Sequence, residues 1–211
     1  MGNLTTYNIQ DLIDKYSLEC FIETGTLYGE AVEHARQFMF TEIISIEIEE
    51  DLASQCRAKF SHDPRVNIIT GDSSIKMRHA VSLITGPCLY WLDAHFPGGD
   101  RNDEKRKTYM ETDDPNSRVP LLKEIESIKE SSYFPESVLL IDDARLFERD
   151  NNNLDNHLRN IGQGDISRDM LCEFDNSQIF SLLSDTHDVI RINATGEGNY
   201  VAVPKGENNE S

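Results

Sequence analysis

Short apolar bursts alternate with helix-period stretches along most of this chain. CFIET (20–24), EIISIEI (42–48), VNIITGD (66–72), CLYWLDAH (88–95) and SVLLIDDA (137–144) are nearly continuous apolar runs, and each ends in a polar cluster. Parallel strands buried on both faces have this pattern, because polar side chains are tolerated only where the strand leaves the sheet. Helical spacing fills the gaps, over 29–39, 49–60, 73–84 and 119–131, and a further helix is predicted over 7–16. Val32, Ala35 and Met39 share one face of the first of these. Leu121, Ile125 and Ile128 share one face of the last. The end of the chain differs. DVIRINA (188–194), TGEGN and YVAVP (200–204) read as an antiparallel hairpin around a Gly-containing loop.

Strand–helix alternation at this spacing predicts an α/β fold with a doubly wound, mainly parallel sheet, closed by the C-terminal antiparallel hairpin. One domain over 1–204 is expected, with KGENNES (205–211) as a disordered tail. Residues 100–118 interrupt the pattern with eleven charged residues among nineteen. Such a stretch has too little apolar surface to order alone, so it is either a lid over a site or a solvated insertion. Pro97-Gly98-Gly99 precedes it as a hinge, and Asp100 begins it.

Charge narrows the range of partners. The 211 residues carry 38 Asp and Glu against 20 Lys and Arg, a formal charge of −18. A surface of that sign repels phosphate backbones, so no nucleic-acid partner is predicted. The expected partner is small, or is carried on something small; a homo-oligomer is compatible with the pattern. No apolar run reaches the 18 residues of a membrane span, and the N-terminus lacks a signal-peptide core. M-G-N-L-T-T, with Thr6, matches a short myristoylation pattern that often arises by accident. Cys20, Cys56, Cys88 and Cys172 form no CxxC or Cys/His cluster, which suits a reduced, cytoplasmic protein.

Ligands of an open parallel sheet bind beyond the carboxyl ends of its strands. Five strand ends are acidic here: Glu23-Thr24-Gly25-Thr26 with Gly29 after it, Glu47, Gly71-Asp72-Ser73, Asp93-Ala94-His95, and Asp142-Asp143. Any one of them reads as a helix cap or surface carboxylate. Their recurrence at every strand points to a site. ETGTLYG lacks the G-x-G-x-x-G phosphate loop, yet its glycines permit a tight turn. Glu23 disfavours a pyrophosphate there and suits a cationic or amino-bearing ligand. Glu47, about 20 residues past the turn, stands where a carboxylate holds a ribose diol, and Asp72-Ser73 suits a purine amino edge. Arg145 either pairs with Asp143 or binds an anionic substrate. His34, His62, His79, His157 and His187 read as surface or packing residues, and Trp91 as core.

In order, FIETGTLYG (21–29), SIEIEEDL (45–52), ITGDSS (69–74), LYWLDAHFPGG (89–99) and VLLIDDARLF (138–147) resemble the motifs of class I S-adenosylmethionine (SAM)-dependent methyltransferases, over roughly 20–204. The resemblance implies a Rossmann-like, seven-stranded sheet whose seventh strand is antiparallel. It also implies SAM, held by Glu23, Thr24, Gly25, Thr26, Gly29, Glu47, Asp72 and Ser73. Within that family, the chain is similar to macrocin-type, metal-dependent sugar O-methyltransferases, which chelate a divalent ion with one Asp after strand four and an Asp-Asp pair after strand five. Asp93, Asp142 and Asp143 match these positions and imply a divalent metal, Mg²⁺ above others. Three carboxylates are a hard-oxygen donor set. The family's general base stands two residues after the first Asp, and here that residue is His95.

The function this implies is metal-assisted O-methylation of a sugar or another small hydroxyl acceptor, with Asp93 and His95 catalytic and Arg145 touching substrate. N-methylation of a small amine is an alternative. The chain departs from the common pattern by lacking a G-x-G-x-G core. That keeps in play a SAM-fold binding module without catalysis. A metal-dependent hydrolase is a further rival, because D-A-H opens the D-A-H-x-D motif. Pro at position 97 and the absence of a partner His-bearing motif oppose it.

Overall fold

The structure, a computed structural model, describes residues 3–95, 118–148, 172–192 and 197–206. Its elements are α1 (Ile9–Tyr16), β1 (Cys20–Thr24), α2 (Glu30–Ala35), β2 (Glu42–Glu47), α3 (Glu50–Phe60), β3 (Val66–Thr70), α4 (Ser73–Val81), β4 (Cys88–Leu92), α5 (Leu121–Ile128), β5 (Val138–Ile141), α6 (Asn176–Leu183), β6 (His187–Ile192) and β7 (Asn199–Pro204). The expected lid, apart from Arg118, lies outside the described residues, as do Pro97-Gly98-Gly99, Asp100 and His157.

The seven strands form one sheet in the order β3-β2-β1-β4-β5-β7-β6. β1 to β5 are parallel. β7 runs antiparallel to both β5 and β6, which is the expected terminal hairpin. All residues of β1, β4 and β5 are buried, as their continuous apolar runs require. Alternate side chains serve opposite faces. Phe21, Ile43, Leu89, Trp91 and Leu140 pack with Ile9, Val32, Ala35 and Phe60 from the helices before β3. Ile22, Ile44, Tyr90, Leu139 and Ile141 pack with Met77, Leu121, Ile125, Ile128 and Ile179 from the helices after it. Helices on both faces make the sheet doubly wound. The chain reverses its direction of winding between β1 and β4, so the switch-point crevice opens beyond the ends of those two strands.

Every strand expected from the sequence is present; the polar ends of β1 and β2 stay within the strands, and those of β4 and β5 leave the sheet. β4 stops at Leu92 and β5 at Ile141, so Asp93, His95, Asp142 and Asp143 stand just past the sheet. One helix face needs correction. α2 ends at Ala35, not at residue 39, and Met39 is 89% exposed while Val32 and Ala35 are buried. The Phe38 N–H donates to the Ala35 carbonyl at 3.0 Å, a tight turn that takes the chain off the helical path before Met39.

The expected tail begins with Lys205, whose N–H still donates to the Thr186 carbonyl at 2.9 Å. All four cysteines are free and buried. None of the described helices is long and apolar enough to cross a membrane.

α6 was not anticipated from the sequence. It starts at a capping box in which Asp175 accepts from the Ser177 N–H at 3.0 Å and Gln178 accepts from the Asp175 N–H at 3.2 Å. Phe180 then packs edge-on against Tyr200 of β7 at 5.2 Å. Asp175→Ala is expected to cost about 1 kcal/mol of stability through loss of the cap. Urea denaturation reads this as a lower midpoint with an unchanged slope.

Candidate functional site

The β1–α2 loop lies against β4 backbone. Gly25 has φ +85°, and a Cβ there would sit 3.0 Å from the Asp93 carbonyl oxygen. Only a residue without a side chain permits both the positive φ and that approach. The Gly25 N–H donates to the Ile46 carbonyl at 2.9 Å, so the turn is held from β2 as well. On the far side of the loop, Gly29 has φ +76°, and a Cβ would strike the Phe60 ring at 2.6 Å.

Glu47 braces this loop. Its Oε2 accepts the Leu27 N–H at 2.8 Å and its Oε1 accepts the Glu49 N–H at 2.9 Å. These bonds hold Leu27 at φ 50°, a conformation uncommon outside glycine. Glu23 lies deeper. The Ser45 hydroxyl donates to its Oε2 at 2.6 Å, and the Thr26 hydroxyl lies on Ser45 in turn. Burial, partly offset by the Ser45 bond, pushes the Glu23 carboxyl well above the usual carboxylate range. The Thr24 hydroxyl accepts the Ala94 N–H at 3.3 Å, tying β1 to the loop after β4. Asp72 caps α4, with Oδ1 accepting from the Ser74 N–H at 2.9 Å and the Ser74 hydroxyl at 2.7 Å. Ser73 is buried beside it. The eight residues expected to hold the cofactor thus gather at the ends of β1, β2 and β3, with Glu47 and Asp72 also bracing the loops.

Beyond β4 and β5 the carboxyl groups converge. Asp93, His95 and Asp142 each offer a ligand atom, and these atoms lie within 4.8 Å of one another. His95 Nε2 is 3.2 Å from Asp93 Oδ1 and 3.9 Å from Asp143 Oδ2. Burial alone would lower the imidazole's pKa. The Asp93 bond and the charges of Asp143, Asp93 and Asp142 outweigh it and raise His95 to about 10. Burial, with the charge of Asp142, raises Asp93 to about 7 although His95 opposes it. The three carboxylates thus favour the protonated imidazole, with His95 as their counterion.

Asp143 is placed differently from its neighbour. Arg145 Nε lies 2.6 Å from Asp143 Oδ1, and its Nη2 donates to Oδ2 at 3.2 Å. Arg145 also meets Glu197 at 3.1 Å. Of the two roles open to Arg145, the structure displays the ion pair. Asp93, His95 and Asp142 form one donor cluster of two carboxylates and an imidazole, and Asp143, the third expected ligand, pairs with Arg145 beside it. This set still suits a divalent ion with hard-oxygen preference, because Mg²⁺ is commonly held by one or two carboxylates with water and substrate filling the rest.

Sequence reasoning missed several neighbours of this cluster. Asn199, the first residue of β7, donates from Nδ2 to Asp142 Oδ1 at 2.7 Å and fixes that carboxylate's orientation. Tyr7 brings a buried hydroxyl with no hydrogen-bond partner, feels the charge of Asp142, and packs edge-on against Trp91 at 6.1 Å. Glu124 of α5 is buried at 1% exposure. Tyr28, Ile48 and Ile75 follow the ends of β1, β2 and β3 and remain 58%, 42% and 70% exposed. Apolar residues left open beside a polar rim are a signal of ligand contact that polar-residue motifs do not carry. Among the other histidines, His187 is a packing residue, with Nε2 2.9 Å from the Ser137 carbonyl and burial lowering its pKa.

No protein-family model matches the sequence. No curated protein matches it either. Solved structures do resemble it. The SAH-bound Podospora anserina methyltransferase PaMTH1 is 13% identical, covers 96% of this chain and 84% of its own, and superposes with a TM-score of 0.60. The O-methyltransferase from Bacillus cereus, in complex with SAH, is 15% identical over 97% and 83%, with a TM-score of 0.56. The N-methyltransferase NodS from Bradyrhizobium japonicum WM9 is 12% identical over 93% and 92%, with a TM-score of 0.51. The chain has the Rossmann-like methyltransferase fold, a fold shared by enzymes that methylate oxygen and by one that methylates nitrogen.

Asp93, at about 7, Glu124, at about 8, and His95, at about 10, are all raised above their unfolded values. The folded state therefore binds more protons than the unfolded state, and stability is lost as pH rises through those values. In chelator the melting temperature is expected to fall from about pH 6 to about pH 9, less steeply in Asp93→Asn. A melting temperature that rises over this range would contradict the assigned shifts.

Proposed function

We propose that this chain is a SAM-dependent methyltransferase acting on a small acceptor, with a sugar-like hydroxyl as the favoured nucleophile and a divalent ion, Mg²⁺ first, held by Asp93 and Asp142. The observation that carries the reading is the convergence of Asp93, His95 and Asp142 immediately beside the Gly25 turn. It sets an ion and base cluster against the switch-point crevice where this fold takes its ligand. The acidic loop residues suit a sulfonium cofactor, and Tyr28, Ile48 and Ile75 offer apolar surface for its purine.

In the proposed reaction, the methyl carbon leaves the cofactor sulfur as the acceptor oxygen bonds to it, and the hydroxyl proton passes to a protein base. Alignment of oxygen, carbon and sulfur supplies most of the acceleration. Asp93 and Asp142 would hold a divalent ion, which would supply polarisation of the acceptor hydroxyl and so a lower pKa for it. Asn199 holds Asp142 in one orientation, and Thr24, through Ala94, fixes the backbone from which Asp93 and His95 project. His95 takes the proton at Nε2, the atom now facing Asp93. It is basic enough only when the neighbouring carboxylates are neutralised, because in their unneutralised field it is already protonated. Arg145 keeps Asp143 paired, leaving Asp93 and Asp142 as the two carboxylates facing an ion.

Titration calorimetry with SAM is the first test. Binding in the micromolar range is expected, and no binding at millimolar cofactor would falsify the reading. Asp142→Asn is expected to retain SAM binding and lose divalent-ion dependence, with turnover reduced at least about 100-fold, the scale of a lost transition-state interaction. His95→Ala is expected to lower kcat while ion affinity holds. Loss of ion affinity in His95→Ala would make the residue a ligand and not the base.

A further inference from the structure

The carboxyl group of Glu124 has no role in the reaction as derived, yet its position is costly. It comes from the middle of α5, is 1% exposed, and its Oε1 is shielded from solvent without a hydrogen-bond partner. A buried carboxyl oxygen left unpaired destabilises a fold, and an apolar side chain of similar length packs the same space more favourably. Three buried apolar residues of its helix, Leu121, Ile125 and Ile128, show that the core accepts such side chains there.

The surroundings are those of the crevice. The hydroxyls of Thr24, at the end of β1, and Ser73, at the start of α4, lie against the Glu124 carboxyl and favour its charged form, while Asp72 and His95 are near enough to act on it electrostatically. Three strand-end segments therefore meet around one unsatisfied oxygen at the switch point. A group in that position completes its bonding only when a donor arrives from the crevice. Burial raises the carboxyl's pKa to about 8, a cost that an arriving cation relieves.

We propose that Glu124 is a further cofactor-binding residue, whose Oε1 accepts a hydrogen bond from the ammonium group at the amino-acid end of the bound sulfonium nucleoside. This rests on the methyltransferase reading above. It adds to that reading a contact from below the crevice, made by a helix that no strand-end motif includes. A charged donor, and not the neutral purine amine, is the partner assigned, because only a cation offsets the desolvated carboxylate.

The test uses the full-length protein, with S-adenosylhomocysteine and 5′-methylthioadenosine as probes; the second lacks the amino-acid end. Glu124→Gln keeps shape and loses charge; Glu124→Met keeps length and loses the acceptor. Both variants are expected to melt no earlier than the wild type without ligand. Each is expected to bind S-adenosylhomocysteine about tenfold or more weakly, the scale of one charge-assisted bond. Their affinity for 5′-methylthioadenosine, measured directly or by competition, is expected to match the wild type's. Wild-type affinity for S-adenosylhomocysteine in both variants would overturn the proposal, as would an equal loss for both probes. A structural role alone would show as early melting with unchanged affinity. If the wild type itself binds neither probe, the methyltransferase reading falls first, an outcome separate from a failure of Glu124.

Discussion

Carboxyl groups that repel one another are held together at one end of this sheet, and most of the local structure answers to that repulsion. Glu23, Glu47, Asp142 and Asp143 are all buried, and Asp93 is nearly so. Two like charges a few ångströms apart in a desolvated site cannot both stay ionised without compensation. The fold compensates each differently. Glu47 accepts two backbone N–H groups, Asp143 pairs with Arg145, Asp93 pairs with His95, and Glu23 accepts the Ser45 hydroxyl. Asp142 receives a neutral amide from Asn199.

The same crowding explains the loop geometry. Gly25 brings the β1 loop onto the Asp93 carbonyl, and Glu47 draws Leu27 into a left-handed conformation. Strain of this kind persists only where neighbouring bonds over-determine it. Here the braces come from β2, while the approach comes from β4. The β1–α2 loop and the carboxylate cluster are therefore one mechanical unit, and a shift in either is felt by the other.

Much of this was legible in the sequence. Continuous apolar runs marked all five parallel strands because both faces of the sheet are covered, and acidic strand ends marked the rim. What remained hidden depends on contacts between distant segments. Asn199 sits 57 residues from Asp142 and reads as a loop polar residue until β7 is placed beside β5. Glu124 follows Lys123 in a helix and looks like half of a solvated pair; only the packing of α5 onto the sheet shows it turned inward. Arg145 had two readings that differ by a few ångströms of side-chain placement, a distance no pattern encodes. α6 carried a capping box that was visible in DNSQ (175–178), but its short apolar period was lost between polar segments.

The strand order has a consequence for how the protein is made. β7 lies between β5 and β6 in the sheet although it follows both in the chain. β6 has no neighbour within the sheet until the final strand arrives, and Asp142 has no Asn199. Synthesis from the N-terminus can assemble the five parallel strands with their helices while the edge of β5 is still open. The charge cluster acquires its last support only when residues 199–204 slot into that edge. A nascent chain lacking them lacks the Asn199 bond to Asp142, so that brace of the carboxylate and completion of the sheet arrive together.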